Sequence, residues 1–335
     1  MTKRYRPLVR SDAPRPEDAQ PLAAGPRWFT HCALHQPGQP PQRVPARDLP
    51  PEVLARLTAP RPALAGLSLD VPRIMGILNV TPDSFSDGGL DASATEAAAR
   101  GRALLAAGAD LLDIGAESTR PGAAEVPQAE ELARLLPVLE ALPGAPVSVD
   151  TRKAAVARAA ARAGAALIND VSGLCFDPDM ARSVAELGLP VCIMHSRGTP
   201  ETMRELTGYE DVLLEVYEFL ETQLAMLENL GLPRGQVLVD PGIGFAKTEA
   251  QNLALLRGLS IFHGLGCGLL VGVSRKGFVG RIGGAPRPAD RAPGSLALAL
   301  AAVAQGAQVI RVHDVAETRQ ALALWQAVEH EGEKP

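Results

Sequence analysis

The sequence predicts an α/β fold, a closed (β/α)8 TIM barrel that follows a proline-rich N-terminal extension. Eight short apolar segments recur along residues 74–314, and helical segments rich in alanine and leucine separate them. Such alternation requires a parallel sheet with right-handed crossovers, and eight units in about 260 residues are typical of a closed barrel. An open, doubly wound sheet is the alternative. No glycine-rich nucleotide loop follows the first strand, which disfavours a nucleotide-binding fold.

The predicted strands are separated by helices, several of which end at a glycine. Glycine is common just after a helix because it adopts the left-handed conformation without strain. The glycines at such positions are Gly108, Gly164, Gly188, Gly231 and Gly306. The strands are predicted at residues 74–79, 109–115, 146–150, 166–170, 189–195, 236–240, 269–274 and 308–314.

The first 70 residues differ from the rest in proline content. Thirteen of the 29 prolines lie there, and proline interrupts both helices and sheet ladders. We therefore divide the chain into an extension, residues 1–70, and a barrel, residues 71–335. The extension is expected to pack on the barrel or to be partly disordered. Short strands are predicted at 5–9 and 27–34 and helical turns at 51–57, and the neighbours Trp28 and Phe29 favour docking.

Composition excludes several classes of protein. The chain has 335 residues, 46% hydrophobic but only 4% aromatic, so its core must be aliphatic. A net charge of -5 argues against a nucleic-acid partner. The four cysteines show no paired spacing, which suits reduced thiols in the cytoplasm. We find no signal peptide, and no apolar run reaches the length of about 18 residues that suggests a membrane span.

Polar residues stand at the carboxyl end of every predicted strand. In a barrel these ends meet at one mouth, where active sites lie. A single strand-end carboxylate often caps the next helix, and for Asp113 that interpretation has equal weight. A complete ring of polar strand ends is not explained by capping. The ring comprises Asn79, Asp113, Asp150, Asn169, Asp170, His195, Asp240, Ser274, Arg275, Lys276, Arg311 and His313.

The ring divides into two chemical sets. The donors and acceptors of the first set suit a flat, hydrogen-bonding heterocycle at depth, whose paired N–H donors would satisfy a buried carboxylate. The candidates for this set are Asp150, Asn169, Asp240 and Lys276. Cationic and neutral donors suit phosphate oxygens nearer the rim. The candidates for that set are Asn79, Arg120, Arg311 and His313.

Two long motifs make a family resemblance specific. Residues 79–89 (NVTPDSFSDGG) and 113–122 (DIGAESTRPG) resemble the two mobile loops of the dihydropteroate synthase family. Shorter motifs at 148–151, 168–170, 194–195, 240–245, 274–276 and 311–314 match in the same order. The resemblance covers roughly residues 70–330 and leaves the extension outside.

The resemblance implies an activity and a set of ligands. The family condenses 6-hydroxymethyl-7,8-dihydropterin diphosphate with 4-aminobenzoate and releases pyrophosphate, a step of folate biosynthesis and the target of sulfonamides. It uses Mg²⁺, which Asn79 would hold against the diphosphate. Family members are commonly homodimers through barrel helices. The course is SN1-like, because an arylamine is a weak nucleophile and the pterin can spread a cation.

The resemblance also implies roles for single residues. The pterin set would be Asp150, Asn169, Asp240 and Lys276, and the pyrophosphate set Arg120, Arg311 and His313, with Thr119 beside the substrates. The aminobenzoate ring would lie among Phe85, Phe245 and Lys276. Asp87 would stabilise positive charge that develops at the pterin methylene. The groups expected to act in catalysis are Asp87, Lys276, Arg311 and His313.

Some positions and functions stay open at the level of sequence. Gly277 stands where many relatives have serine, which removes a hydroxyl near the aminobenzoate carboxylate. His195 is as well explained by a buried structural role as by a catalytic one. A pterin-dependent methyltransferase barrel would need no diphosphate set. The sequence is also compatible with a non-catalytic pterin-binding partner and with a sulfonamide-insensitive variant of the enzyme.

Overall fold

The computed structural model of the chain describes residues 3–81, 89–119 and 122–329. Eight parallel strands form a closed barrel in which each strand pairs with the next along the chain and the last pairs with the first. The predicted closed barrel is therefore confirmed, and the open sheet is excluded. Its strands are β6 (Arg73–Asn79), β7 (Leu111–Gly115), β8 (Val147–Asp150), β9 (Leu167–Asp170), β10 (Val191–Met194), β11 (Val237–Asp240), β12 (Gly268–Val271) and β13 (Val309–Val312).

Helices alternate with these strands and cover the outside of the barrel. They are α2 (Gly89–Ala106), α3 (Gln128–Glu140), α4 (Ala154–Arg162), α5 (Met180–Leu187), α6 (Val212–Asn229), α7 (Glu249–Arg257), α8 (Gly277–Ile282), α9 (Ala292–Ala304) and α10 (Val315–Glu329). Short 3-10 helices occur at Arg234–Gln236, Leu259–Leu265 and Pro288–Arg291. The main core lies between the helices and the outward strand residues, such as Ile74, Leu112 and Val149.

Strand alternation separates the lumen of the barrel from this outer core. An apolar layer closes the lumen near its floor and is formed by Met75, Leu111, Leu167, Cys192, Leu238, Leu270 and Val309. Because side chains alternate along a strand, the residues two and four positions further on face the lumen as well. Those positions hold most of the polar strand-end residues. The lumen thus changes from an apolar floor to a polar mouth.

The N-terminal segment forms two small sheets. Strands β1 (Arg4–Pro7), β4 (His31–Gln36) and β5 (Gln39–Pro45) make an antiparallel sheet, and β2 (Gln20–Pro21) pairs with β3 (Trp28–Phe29). A 3-10 helix (Ala46–Asp48) and α1 (Pro51–Thr58) follow. Strand β5 was not predicted. It tolerates its prolines because it is an exposed edge strand, whose outer N–H positions need no partner.

This segment contacts the barrel at its floor. Leu64 and Leu69 pack into the apolar layer that closes the lumen. The hydroxyl of Ser260 donates to the carbonyl of Pro7 at 2.8 Å. The guanidinium of Arg61 donates to the carbonyl of His263 at 3.1 Å. The segment therefore lies at the end of the barrel opposite the polar mouth.

Candidate active site

The centre of the mouth is an arginine held between two carboxylates. Nε of Arg311 lies 2.6 Å from Oδ2 of Asp113, and Nη2 lies 2.9 Å from Oδ2 of Asp150. Asp113 also accepts hydrogen bonds from the hydroxyl of Ser148 at 2.7 Å and the amide of Asn169 at 3.1 Å. Asp113 is fully buried, and its described hydrogen-bond partners are the side chains of Ser148, Asn169 and Arg311, not the N–H groups of a helix end. The helix-cap interpretation is thus replaced by a lumenal role.

The electrostatics of this cluster favour a ligand that donates hydrogen bonds. Burial raises the pKa of Asp150 to about 7, while the nearby Arg311 acts to lower it. Burial acts to lower the pKa of Arg311, but Asp113 and Asp150 together raise it above its ordinary value, so the guanidinium stays charged. One cation therefore faces two buried acids. N–H groups on a ligand would complete the hydrogen bonding of these acids.

A second cluster joins Asp240, Phe245 and Lys276. Asp240 ends β11 and accepts the N–H of Gly242 at 2.7 Å, and burial raises its pKa. Burial lowers the pKa of Lys276 to about 8, although Asp240 acts to raise it. Nζ of Lys276 lies 4.2 Å from the centroid of the Phe245 ring. A side chain at Gly244 would meet Cδ of Lys276 at 2.9 Å, so glycine leaves room for this contact.

The rim of the mouth carries the remaining described candidates. The ring Nδ1 of His313 shares a hydrogen bond with the hydroxyl of Ser274 at 3.0 Å, and its backbone N–H donates to the same oxygen at 3.1 Å. Asn79 is the last residue of β6 and lies four positions after the lumenal Met75. Because side chains alternate along a strand, Asn79 also faces the lumen. Thr119 is half-buried in the segment after β7.

Not every predicted position can be placed. Phe85, Asp87 and Arg120 lie outside the described residues. Asp170 belongs to the strand-end ring in sequence, but its carboxylate accepts the N–H groups of Ser172 at 2.8 Å and Leu174 at 2.9 Å. Asp170 thus stabilises the turn after β9, and its neighbour Asn169 is the lumenal residue. The structure brings Asp150, Asn169 and Arg311 together around Asp113.

Sequence reasoning missed the network that closes the base of the second loop. Glu117 accepts the N–H of Val126 at 2.9 Å and pairs with Arg152 at 3.0 Å and Lys153 at 3.2 Å. Lys153 also pairs with Glu131 at 2.7 Å, and all four charged side chains are buried. Glu117 therefore ties the two ends of the segment that contains Thr119. The available signal was that Glu117 lies inside the motif 113–122.

The structure also places His195, whose role the sequence left open. Its Nδ1 lies 2.9 Å from Nζ of Lys247. Burial, and next the charge of Lys247, lowers the pKa of His195 to about 2, so the ring is neutral. Its ring packs edge-on against Phe219 with centroids 4.9 Å apart. His195 is thus a buried hydrogen-bonding residue, and Lys247 is a partner that the sequence did not suggest.

Comparisons with known proteins agree with this geometry. The profile of a family described as pterin binding enzyme matches residues 75–313. The dihydropteroate synthase of Escherichia coli K12 is 47% identical over 267 residues, which is 78% of this chain and 94% of that protein. That of Synechocystis is 45% identical over 75% of this chain and 90% of its own length.

Solved structures of dihydropteroate synthases are also similar to this chain. A Xanthomonas albilineans dihydropteroate synthase with 4-aminobenzoic acid has a TM-score of 0.74 and 48% identity, covering 79% of this chain and 96% of that one. The same organism's enzyme in complex with 7,8-dihydropteroate has a TM-score of 0.71 and 45% identity, over 78% and 95% of the two chains. A matched profile over most of the barrel, together with relatives at this identity and coverage, establishes that the chain belongs to the pterin-binding enzyme family, among the dihydropteroate synthases.

Proposed function

We propose that the barrel mouth joins 6-hydroxymethyl-7,8-dihydropterin diphosphate to 4-aminobenzoate, giving 7,8-dihydropteroate and pyrophosphate. The observation that carries this proposal is Arg311 held between Asp113 and Asp150, with Asn169 bound to Asp113 and with Asp240 and Lys276 nearby. The named relatives support it, since their solved structures include complexes with 4-aminobenzoic acid and with 7,8-dihydropteroate. The reaction transfers an alkyl group to an arylamine nitrogen.

The pterin would enter the deep part of the mouth. Its ring N–H groups suit the buried carboxylates of Asp150 and Asp240, and the amide of Asn169 offers both a donor and an acceptor. The ammonium of Lys276 would donate to the pterin carbonyl. Each contact supplies a partner for a group whose burial is otherwise costly, and this favours a polar ring over an apolar ligand.

The diphosphate would lie above the pterin, toward Arg311 and His313. Departure of pyrophosphate is the difficult step because an arylamine lone pair is delocalised and attacks weakly. Cationic donors that stabilise charge on the leaving group therefore accelerate the reaction. The chain's residues would bind and orient both substrates and exclude water from the pterin methylene. We expect no covalent intermediate with the protein.

We propose Mg²⁺ as the cofactor, with Asn79 as its protein ligand. Among residues 3–81, 89–119 and 122–329, no group of three or more His, Cys, Asp or Glu side chains could hold a metal ion. A single amide oxygen still fits Mg²⁺, which is often bound by one or two protein oxygens together with substrate phosphates. When bound, Mg²⁺ would neutralise charge on the diphosphate.

We further propose that the chain forms a homodimer through the barrel helix α10. The support is an uncovered apolar strip on α10, where Leu324 is 64% exposed and Val328 is 81% exposed. These residues are four positions apart and share one helix face. Light scattering should give a dimer mass for the wild type and a monomer mass for Leu324→Glu/Val328→Glu. A dimer in both would contradict this interface.

None of the described helices is both long and apolar enough to cross a membrane. We infer a cytoplasmic location from the thiols. All four cysteines lie in the described residues and are unpaired, and Cys32, Cys192 and Cys267 are buried. Unpaired thiols are typical of a reducing compartment.

An assay of pyrophosphate release tests the reaction. The purified chain should release pyrophosphate only when Mg²⁺, the pterin diphosphate and 4-aminobenzoate are all present. Omission of 4-aminobenzoate distinguishes the synthase from a hydrolase. Release that does not depend on 4-aminobenzoate would contradict the proposal, and so would pterin binding without turnover. Sulfonamide inhibition in the same assay would establish sensitivity to these drugs.

A further inference from the structure

A buried lysine organises the loop between β11 and α7. Nζ of Lys247 lies 2.9 Å from the carbonyl oxygen of Gly242 and 2.9 Å from that of Phe245. It also lies 3.3 Å from the carbonyl oxygen of His195 and 2.9 Å from the Nδ1 of its ring. Among the residues that the structure describes, the hydrogen-bond partners of Nζ are three backbone carbonyl oxygens and the imidazole of His195. Burial lowers the pKa of Lys247, and the nearby Asp240 acts to raise it. The surrounding carbonyl oxygens can only accept hydrogen bonds, so they suit an ammonium donor at this point.

The backbone conformation of this loop directs those carbonyl oxygens toward Nζ of Lys247. Gly242, Gly244 and Ala246 all have positive φ, at 69°, 85° and 47°. Such a conformation costs an alanine about 1 kcal/mol, so Ala246 must be held by its surroundings. A side chain at Gly242 would lie 1.9 Å from the carbonyl oxygen of His195, which shows how closely the loop approaches the end of β10.

The loop carries a residue of the active site. Phe245 supplies one of the carbonyls bound by Lys247, and its ring lies beneath the ammonium of Lys276. Neutral hydrogen bonds hold other parts of the loop. The hydroxyl of Tyr209 donates to the carbonyl of Ala246 at 3.0 Å, and the N–H of Gly244 donates to the side chain of Asn252 at 2.6 Å. Neither bond uses the carbonyl of Phe245.

We propose that Lys247 is a positioning residue for the second substrate: its ammonium gathers the carbonyls of Gly242 and Phe245 and so fixes the Phe245 ring against Lys276. This inference rests on the proposed function, because it assumes that the Phe245 ring borders 4-aminobenzoate. Because an ammonium can only donate, the Nδ1 of His195 would accept from Lys247, and the ring proton would then lie on Nε2. The imidazole that the sequence left unexplained is thus part of the same support.

The backbones of Asp240 and Phe245, which border the two proposed substrate regions, are held by different contacts. Asp240 faces the pterin pocket, but its backbone is held by the β10–β11 ladder, in which Met194 pairs with Asp240, and by the N–H of His195 at 3.0 Å from the Asp240 carbonyl. Loss of the Lys247 ammonium should therefore disturb Phe245 more than Asp240. Binding of 4-aminobenzoate should weaken, and binding of the pterin diphosphate should change less.

Two variants and a small cation test the inference. Lys247→Ala removes three methylenes and the ammonium beyond Cβ, and n-propylammonium reproduces that missing group. Lys247→Met fills most of the same space without a charge and is the matched control. In Lys247→Ala we expect the KM for 4-aminobenzoate to rise about tenfold, equivalent to roughly 1.4 kcal/mol, with less than about threefold change in the KM for the pterin diphosphate. Added n-propylammonium should restore most of the lost affinity in Lys247→Ala and none in Lys247→Met.

Hydrogen exchange of residues 241–247 gives a reading that does not depend on the reaction. Protection of these amides should fall in Lys247→Ala and return with n-propylammonium. If Lys247→Ala does not fold, the same KM comparison and exchange measurement on Lys247→Met decide the matter. If the amides of residues 241–247 are protected in the wild-type protein but that protein shows no synthase activity, the proposed function alone is overturned. Unchanged KM values and unchanged protection in a folded Lys247 variant would overturn the positioning role, and so would an equal rise in both KM values.

Discussion

The ammonium of Lys276 lies 4.2 Å from the centre of the Phe245 ring, at the junction of the two substrate regions that we propose. A cation over an aromatic face is attracted by the ring quadrupole. The long alkyl stem of lysine can meanwhile lie against apolar surface while its charged end reaches a polar partner. Lys276 can therefore contact the pterin with its ammonium and the aminobenzoate with its stem.

Substitution of Lys276 should separate these two contacts. Lys276→Met keeps the stem and removes the charge, so pterin binding should weaken by roughly 1.5–3 kcal/mol, the typical worth of a hydrogen bond to a charged group. Lys276→Ala should also lose the packing on 4-aminobenzoate and be the poorer enzyme. Steady-state kinetics with each substrate varied in turn will measure both effects. Identical KM values for 4-aminobenzoate in the two variants would mean that the stem does not touch that ring.

The pH dependence should follow the charge of Lys276. Burial lowers its pKa to about 8, so the ammonium is present below that pH and is lost as pH rises through it. We expect kcat/KM for the pterin diphosphate to fall above about pH 8, by up to tenfold per pH unit. Arginine stays charged at these pH values. Lys276→Arg should therefore move the alkaline limit to higher pH, and an unchanged limit would assign it to another group.

Arg311 should stabilise the fold as well as bind the diphosphate. Its removal leaves Asp113 and Asp150 buried without their cation, and breaking such a pair typically costs about 3–5 kcal/mol. Urea unfolding of Arg311→Ala should show a loss of this size. The matched control is Arg287→Ala, whose exposed pair with Asp290 should contribute at most about 1 kcal/mol. Similar stability of both variants would show that the buried pairs contribute little.

The N-terminal segment should affect stability and leave turnover unchanged. Leu69 is 6% exposed and fills the floor of the barrel, so Leu69→Ala should lower the free energy of unfolding by about 2–5 kcal/mol with kcat unaltered. A chain that begins at Leu67 should behave similarly, since it lacks Leu64. Leu230→Ala, at a 43% exposed position, is the control. A folded but inactive truncated chain would show that the segment reaches the active site.

The repeating pattern of the sequence was sufficient to predict the barrel. Strand alternation also explains which strand-end residues face the lumen, since Asn169 continues the inward phase of Leu167 whereas Asp170 does not. The predicted strands at 189–195 and 308–314 extended past the observed ladder, because His195 and His313 are loop residues that directly follow β10 and β13. Local patterns thus predict elements and faces, and they predict element ends less well.

Partners distant in sequence were not predictable in the same way. Arg311 and Asp113 are 198 positions apart, and only closure of the barrel brings them into contact. The carbonyl groups around Lys247 belong to the backbone, so the pattern of side chains in the sequence does not predict them. Strand β5 was missed because proline density argues against a ladder, whereas an exposed edge needs only one hydrogen-bonded side.

The most direct measurement of the central claim is the product stoichiometry of the purified chain. The protein is incubated with 6-hydroxymethyl-7,8-dihydropterin diphosphate, 4-aminobenzoate and Mg²⁺, and both products are quantified, the pterin product by mass spectrometry. Our account predicts one 7,8-dihydropteroate for each pyrophosphate released, and neither product when 4-aminobenzoate is left out. Pyrophosphate accompanied by free 6-hydroxymethyl-7,8-dihydropterin, or substrate that is bound but returned unchanged, would contradict it.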